Sequence, residues 1–144
     1  MKDPWGFPET RYRVFCITGD GESHEGSVWE SAMFAGHYEL DNLVNIVDFK
    51  YCVSGPVSER MGVAPMAEKW RSFVWYVAEI DGHNMGQIVD TLALVDKISA
   101  QPKCVIAHTI KGNGIPKWEH SHVHGGALTP EELHEALDMY LKVL

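Results

Sequence analysis

The stretch Val14-Phe15-Cys16-Ile17-Thr18-Gly19-Asp20-Gly21-Glu22 decides the fold, because an apolar run leads directly into a glycine-aspartate-glycine turn. A helical pattern follows this turn, and a second apolar run then occupies Leu43-Val44-Asn45-Ile46-Val47. This order predicts a strand, a tight turn, a helix and a second strand. Glycine lets the backbone approach an anion closely, and the N–H groups at the start of a helix favour negative charge. Asp20 adds a hard oxygen ligand, so the turn suits a magnesium-bound phosphate.

Length and charge limit the classes of protein that fit. The 144 residues suit one compact domain with a buried core. A net charge of −8 argues against binding to nucleic acid or to an anionic membrane surface. No stretch approaches the roughly 18 apolar residues of a membrane span, and the first residues lack the apolar core of a signal peptide. We therefore expect a cytoplasmic protein that binds neither nucleic acid nor membrane.

The cysteines point to a reducing compartment. Cys16, Cys52 and Cys104 lie far apart and form no CxxC pair. Because Cys16 and Cys104 lie in apolar runs, we expect both to be buried strand residues.

Short β-rich runs alternate with helical patterns, which predicts one α/β domain with a mostly parallel sheet flanked by helices. The predicted strands are 13–18, 43–48, 76–80 and 103–109, and the predicted helices are 27–38, 66–73, 85–99 and 130–143. We expect Val28, Ala32, Phe34 and Ala35 to form the apolar face of the first helix. The order of the strands in the sheet cannot be read from one sequence.

Four motifs occur in an order that is typical of one family. They are residues 19–48, which begin GDGESHEG, then EIDGH at 79–83, HTIKGNG at 108–114 and the pair His124-Gly125. With these motifs the chain resembles the transketolase family, in particular the N-terminal half found where transketolase is split into two polypeptides. Glu25-Gly26 and Trp29-Glu30 favour this family over 2-oxoacid dehydrogenases and deoxyxylulose phosphate synthases.

The resemblance implies a thiamine diphosphate-binding fold, with thiamine diphosphate and magnesium as cofactors. It also implies transfer of a two-carbon ketol unit between sugar phosphates. Only 18 residues precede the GDG turn, so residues 1–144 resemble the C-terminal part of the diphosphate-binding domain, incomplete at its N-terminus. The resemblance therefore implies a pyrimidine-domain partner, assembly as a homo- or hetero-oligomer, and no activity without that partner.

The resemblance also assigns roles to individual residues. Asp20 matches the magnesium ligand and Gly21 a backbone donor to the diphosphate, with Glu22 in the same cofactor-binding turn. We place Glu25 and His124 in the catalytic set: Glu25 matches a glutamate on a path between two active sites, and His124 matches a histidine near diphosphate and substrate. An imidazole suits that place because it can donate a hydrogen bond or shuttle a proton. The alternatives are a capping aspartate at position 20 and a solvated carboxylate at position 25.

One segment departs from the family pattern. The family has an asparagine two residues after the aspartate of the second strand, followed by a residue whose carbonyl also binds magnesium. This chain reads Asp48-Phe49-Lys50-Tyr51, one residue shorter than the pattern. If an asparagine is missing before Lys50, Tyr51 offers the metal-binding carbonyl. If none is missing, Lys50 occupies the ligand position, where an ammonium repels a cation but can pair with diphosphate. Both versions weaken the magnesium site.

Several interpretations stay open at the level of the sequence. Lys111, in the loop after the fourth strand, either steers phosphate or is solvated. His120, His122 and His124 alternate, and a zinc site there is an alternative that lacks a clear fourth ligand. The function has two alternatives as well. The first is a non-catalytic, partner-binding subunit in which Lys50 impairs cofactor binding, and the second is a 2-oxoacid dehydrogenase component.

Overall fold

A computed structural model describes residues 12–51, 62–115, 117–121 and 126–141. The strands are β1 (Val14–Gly19), β2 (Leu43–Phe49), β3 (Tyr76–Asp81) and β4 (Lys103–His108), and the helices are α1 (Gly26–His37), α2 (Met66–Ser72), α3 (Met85–Val95) and α4 (Pro130–Leu141). A short 3-10 helix, Glu22–His24, precedes α1. Within these described ranges, no helix combines the length and the apolar character that crossing a membrane requires.

The four strands form one parallel sheet in the order β1-β2-β4-β3. In this register Gly19 pairs with Asp48, and Phe49 and Asp81 both pair with His108. The carboxyl ends of all four strands therefore lie along one edge of the sheet. Ligands of open parallel sheets bind at this edge, because the loops that follow the strands meet there. The predicted fold class, a parallel sheet flanked by helices, is confirmed.

The core lies on both faces of the sheet, as expected for a parallel sheet covered by helices. One cluster joins α1 and α2 to the sheet and includes Ala32, Trp70 and Trp75, and the other packs α3 on the sheet around Val95. The Trp75 indole N–H donates to the Ala32 carbonyl across 2.9 Å, which fixes α1 to the chain that enters β3. This packing positions the start of α1, and with it the GDG turn.

Two predictions about burial are wrong. Cys16 is exposed on β1, which is one of the two edge strands of the sheet, and its neighbour Ile17 is 70% exposed among the described residues. Phe34 is exposed as well, since the inward face of α1 consists of Ala32 and Ala35, and the Phe34 ring packs on Tyr38 instead. An apolar run reports the tendency of residues to be buried, but it does not show which strand lies at the edge.

The predicted third helix is too long at its end. The helix ends at Val95, where the prediction continued to residue 99, because the chain turns through Asp96 and Lys97 and Ala100 takes a left-handed backbone with φ +61°. Pro102 then begins the approach to β4, and the residue before a proline disfavours helical geometry. The other elements lie within two residues of their predicted ends.

Candidate functional site

The GDG turn after β1 is held together by its own polar groups. Asp20 is 1% exposed, and its Oδ1 accepts the Gly21 N–H across 2.9 Å. Its backbone N–H donates to the Asp48 carbonyl at 3.2 Å, which ties the turn to β2. Glu22 Oε2 accepts the Gly19 N–H at 2.6 Å, so this carboxylate closes the turn on its own backbone. The turn therefore presents a buried carboxylate at the carboxyl edge of the sheet.

Glu25 lies at the entrance to α1 on the side of the turn. It is the residue before the helix, its side chain makes no capping hydrogen bond, and it is exposed. The nearby Trp29 is anchored inward: its indole N–H donates to the Ser23 carbonyl at 2.9 Å, and its ring lies 5.4 Å from that of Trp70. The carboxylate of Glu25 is thus open to a neighbouring molecule.

A cation follows β2 on the same edge. The Lys50 ammonium forms an ion pair with Asp48 Oδ2, while Asp48 Oδ1 accepts the Thr109 hydroxyl. The Thr109 N–H also donates to the Phe49 carbonyl at 3.1 Å. Because Asp48 holds both Lys50 and Thr109, it joins the end of β2 to the loop that follows β4.

That loop carries a second cation, Lys111. Its Nζ is buried and has no hydrogen-bond partner in the part of the chain that the structure describes. The surrounding loop is well fixed, because Ile110 N–H donates to His83 Nε2 at 2.8 Å and His120 N–H donates to the Lys111 carbonyl at 3.0 Å. A buried ammonium without a partner is unfavourable, so this position suits an anion. The sequence left the role of Lys111 open because burial of its tip cannot be read from a glycine-rich motif.

Gly112 shows why the loop needs glycine. Its φ of +73° is left-handed, and a side chain there would place Cβ 2.2 Å from the backbone oxygen of Trp118. Only glycine satisfies both conditions, since it lacks a Cβ and tolerates positive φ. The close approach keeps the loop folded back on itself beside Lys111.

Tyr51 follows Lys50 with an unusual backbone. Its φ of +57° is left-handed, its ring lies 4.3 Å from that of Phe49, and its hydroxyl lies 3.1 Å from His108 Nδ1. The structure therefore brings Asp20, Gly21, Glu22, Lys50 and Tyr51 to one edge of the sheet, with Glu25 at the start of α1. His122 and His124 lie outside the described residues, so the predicted alternation of His120, His122 and His124 stays a prediction.

These residues fit the two charged parts of the proposed cofactor unequally. The ammonium groups of Lys50 and Lys111 suit a diphosphate. For magnesium, the predicted set offers the Asp20 carboxylate and the Tyr51 carbonyl, and the residue directly before Tyr51 is the cation Lys50, which cannot act as a ligand. Over the described ranges, no group of three or more His, Cys, Asp or Glu side chains could hold a metal ion. The anion fits, whereas the metal site is one side chain short of the family pattern.

The sheet and this polar edge place the chain in the class of parallel α/β domains, whose ligands typically bind at the carboxyl ends of the strands. Comparison with known proteins is more specific. Residues 4–140 match the family described as transketolase, thiamine diphosphate binding domain, and the chain belongs to this family. The resemblance drawn from the sequence motifs is thereby confirmed.

Two curated relatives are named as transketolase subunits. The chain is 41% identical over 102 residues to the 6-deoxy-6-sulfo-D-fructose transketolase subunit SqwG of Clostridium sp. (strain MSTE9), covering 70% of this chain and 37% of that protein. It is 38% identical over 133 residues to an apulose-4-phosphate transketolase subunit of Phocaeicola vulgatus, covering 88% of this chain and 46% of that protein. The chain thus spans less than half the length of both relatives. Their names agree with the resemblance of this chain to the N-terminal half of a split transketolase.

A solved structure supports the fold independently. Transketolase from Campylobacter jejuni superposes with a TM-score of 0.82 at 29% identity, covering 88% of this chain and 20% of that chain.

Proposed function

We propose that this chain is the diphosphate-binding component of a split transketolase-like enzyme, which transfers a two-carbon ketol unit between sugars. The observation that carries the proposal is the buried ammonium of Lys111, unpartnered among the described residues, at the edge where the GDG turn and Lys50 also lie. Family membership supports it, since the family description names thiamine diphosphate binding.

The residues at this edge of the sheet have different tasks in binding the cofactor. Lys50 and Lys111 neutralise the diphosphate, and Gly21 donates its backbone N–H to it once the Asp20 bond opens. Glu22 keeps the turn closed through Gly19. When bound, the cofactor would supply a nucleophilic carbon, that of the deprotonated thiazolium ring, so the share of this chain is anchoring and orientation.

Magnesium binding has weaker support. Asp20 and the Tyr51 carbonyl are the proposed ligands, and magnesium favours near-ideal octahedral coordination by oxygen. The positive charge of Lys50 beside them opposes a metal ion, although the pairing with Asp48 reduces this repulsion. We propose that Asp20, as the charged ligand of this pair, would make the larger contribution to holding the ion.

The remaining parts of the proposal concern partners. We propose a cytoplasmic complex of this single-domain chain, residues 1–144, with a pyrimidine-domain partner, as a homo- or hetero-oligomer that acts on sugar phosphates. Two relatives named as transketolase subunits support a partner. Glu25, exposed at the start of α1, is proposed to contact the neighbouring polypeptide, and His124 to contact the diphosphate and the substrate.

A second candidate is a non-catalytic, partner-binding subunit. The observation that favours it is the Lys50–Asp48 ion pair, because Lys50 would stand at the position of a metal ligand if no asparagine is missing before it, and an ammonium repels a metal ion. No observation on the described residues favours the 2-oxoacid dehydrogenase component.

Calorimetric titration of thiamine diphosphate and magnesium into the complex of this chain with its pyrimidine-domain partner separates the two candidates. We expect binding, and we expect Asp20→Asn to abolish its magnesium dependence, because the metal loses a charged oxygen ligand. Asp90→Asn, an exposed aspartate on α3, serves as the control. A complex that forms but takes up no cofactor would establish the non-catalytic subunit. Unchanged magnesium dependence in Asp20→Asn would give the GDG turn a purely structural role.

A further inference from the structure

The outer edge of β1 has no neighbouring strand in the part of the chain that the structure describes. The Val14 N–H donates to the Asn42 carbonyl at 2.8 Å, so the even-numbered residues of β1 direct their backbone groups toward β2. Because successive residues of a strand alternate, the N–H and C=O groups of Phe15 and Ile17 point away from the sheet. β1 therefore offers its backbone to a further strand.

β1 also exposes large apolar side chains, which the strand at the opposite edge does not. Phe15 is 48% exposed and Ile17 is 70% exposed, whereas the apolar residues of β3 are all partly or fully buried. Natural sheets protect an open edge with lysine, proline or a bulge. The strand Val14–Gly19 contains neither a charged residue nor a proline. This edge therefore has the composition of a strand that pairs with another strand.

The two ends of this edge carry opposite charges on the same face of the sheet. Arg13 directly precedes β1, its guanidinium carbon lies 5.2 Å from the centre of the Phe15 ring, and it pairs with Asp96 after α3. At the other end, the Glu22 carboxylate accepts the outward N–H of Gly19 and lies 3.6 Å from the place of a Gly19 Cβ. An antiparallel strand of the same sequence would bring the arginine of each copy to the glutamate of the other. The edge is thus complementary in charge to itself.

We propose that a second copy of this chain pairs with β1 in antiparallel orientation, about a two-fold axis at Cys16, and joins the two sheets into one. In this register Phe15 lies opposite Ile17 of the second copy. Both residues direct their backbone groups outward, so each such pair exchanges hydrogen bonds across the interface. An aromatic side chain opposite a β-branched one is also a favourable cross-strand pair. The interface is closed, because both copies use the same surface.

The charges select this register over its neighbours. Arg13 lies opposite Gly19 of the second copy, beside the Glu22 carboxylate. In one neighbouring register Arg13 lies opposite Ile17, so a charge faces an apolar side chain. In the other, Phe15 lies opposite Gly19, whose N–H already donates to Glu22. The pairing goes beyond the proposed function, since it names a surface and its occupant and requires no cofactor.

Sedimentation velocity of the full chain under reducing conditions tests the pairing. We expect a monomer–dimer equilibrium, with the monomer predominating at low concentration, where Cys16 stays accessible. Ile17→Lys should weaken dimerisation roughly 10-fold or more, because a lysine on an edge strand opposes pairing. Leu133→Lys, at a 49% exposed apolar position of α4, is the matched control and should dimerise like the parent. A parent chain that stays monomeric, or an Ile17→Lys chain that dimerises equally well, would overturn the proposal.

The register has a test of its own, because the Cys16 residues of the two copies face each other at the axis. Opposite residues that exchange no hydrogen bonds lie about 4.5 Å apart at Cα, a distance that a disulfide spans. Oxidation of a Cys52→Ser chain with diamide should therefore give a covalent dimer on a non-reducing gel. The control adds Cys16→Ser and Val14→Cys, and it should not cross-link, since residue 14 lies opposite Thr18. A dimer that forms without a Cys16 cross-link uses another surface and refutes the pairing.

The pyrimidine-domain partner is the alternative occupant of this edge. If the parent alone is monomeric and Ile17→Lys abolishes binding of that partner, the edge belongs to the partner and the self-pairing is wrong. Self-association that requires Ile17, together with the Cys16 cross-link, establishes the second copy. Because no cofactor is present in these experiments, their outcome is separate from that of the proposed anion site.

Discussion

Replacing Lys111 by methionine should make the free protein more stable and its binding of phosphate anions weaker. The Nζ atom is buried and has no hydrogen-bond partner among the described residues. Methionine keeps an unbranched side chain of similar length but carries no charge, so it removes the unsatisfied group and retains most of the packing. The same substitution at a lysine that makes stabilising contacts would instead lower the free energy of unfolding.

The size of both effects follows from the burial of one charged atom. An unsatisfied buried polar group costs about 1–3 kcal/mol, and a charged one more, so Lys111→Met should raise the free energy of unfolding by about that amount. A charge-assisted bond to an anion contributes about 1.5–3 kcal/mol, which corresponds to a loss of roughly 10-fold to 150-fold in affinity for pyrophosphate. The two changes have opposite signs, which no general loss of structure produces.

Urea denaturation of the free chain measures the free energy of unfolding, and calorimetric titration with inorganic pyrophosphate measures the affinity for the anion. Lys117→Met is the matched control, because Lys117 lies in the same loop, is exposed and forms an ion pair with Glu132. It should lower stability slightly and leave pyrophosphate affinity unchanged at moderate salt. A Lys111→Met chain that is less stable than the parent and binds pyrophosphate as tightly would show that Lys111 is a structural lysine and not an anion-binding residue.

Three further changes test the packing, the metal site and the cysteines. Gly36→Ala should destabilise the chain by about 1–3 kcal/mol in urea denaturation, because its methyl group would lie 1.9 Å from the backbone oxygen of Phe73. Gly62→Ala is the control and should be nearly neutral, since a methyl group there would meet open space. Inserting an asparagine directly before Lys50 should strengthen magnesium-dependent cofactor binding by the complex more than Lys50→Asn does, since the insertion also restores the loop length. If calorimetry finds that the insertion variant binds the cofactor more weakly than the parent, the alignment with a missing asparagine is wrong. Iodoacetamide should label Cys16 but not Cys104 in the folded chain, as read by mass spectrometry, because Cys104 is fully buried and burial raises the pKa of its thiol. Equal labelling would contradict the burial of Cys104.

Much of the fold could be predicted because local patterns and tertiary structure agree. The apolar runs became strands of one parallel sheet, and the capping box at Thr129 begins α4, where the Thr129 N–H donates to Glu132 Oε2 at 2.9 Å. The strand order could not be predicted, since hydrophobic pattern carries no information about neighbours in a sheet. The exposure of Cys16 follows from that order, and for this reason the prediction of a buried Cys16 failed.

The candidate site was predictable in part. The GDG motif placed Asp20 and Glu22 in a turn after a strand, and their hydrogen bonds now define that turn. The link from Asp48 to Thr109 joins residues 61 positions apart and has no local sequence signal. The same holds for the contact between Tyr51 and His108, which depends on β2 and β4 being neighbours.

The two lysines at this edge should not contribute equally to anion binding. Lys50 is already paired with Asp48, so an arriving phosphate must share that ammonium with a carboxylate and gains only part of its charge. Lys111 has no such competitor among the described residues, and its desolvation is already present in the free chain. We therefore expect Lys111 to account for most of the affinity for the diphosphate. Asp48 is responsible for this difference between the two lysines. Its carboxylate restrains Lys50, and it also accepts the hydroxyl of Thr109, at the start of the loop that contains Lys111.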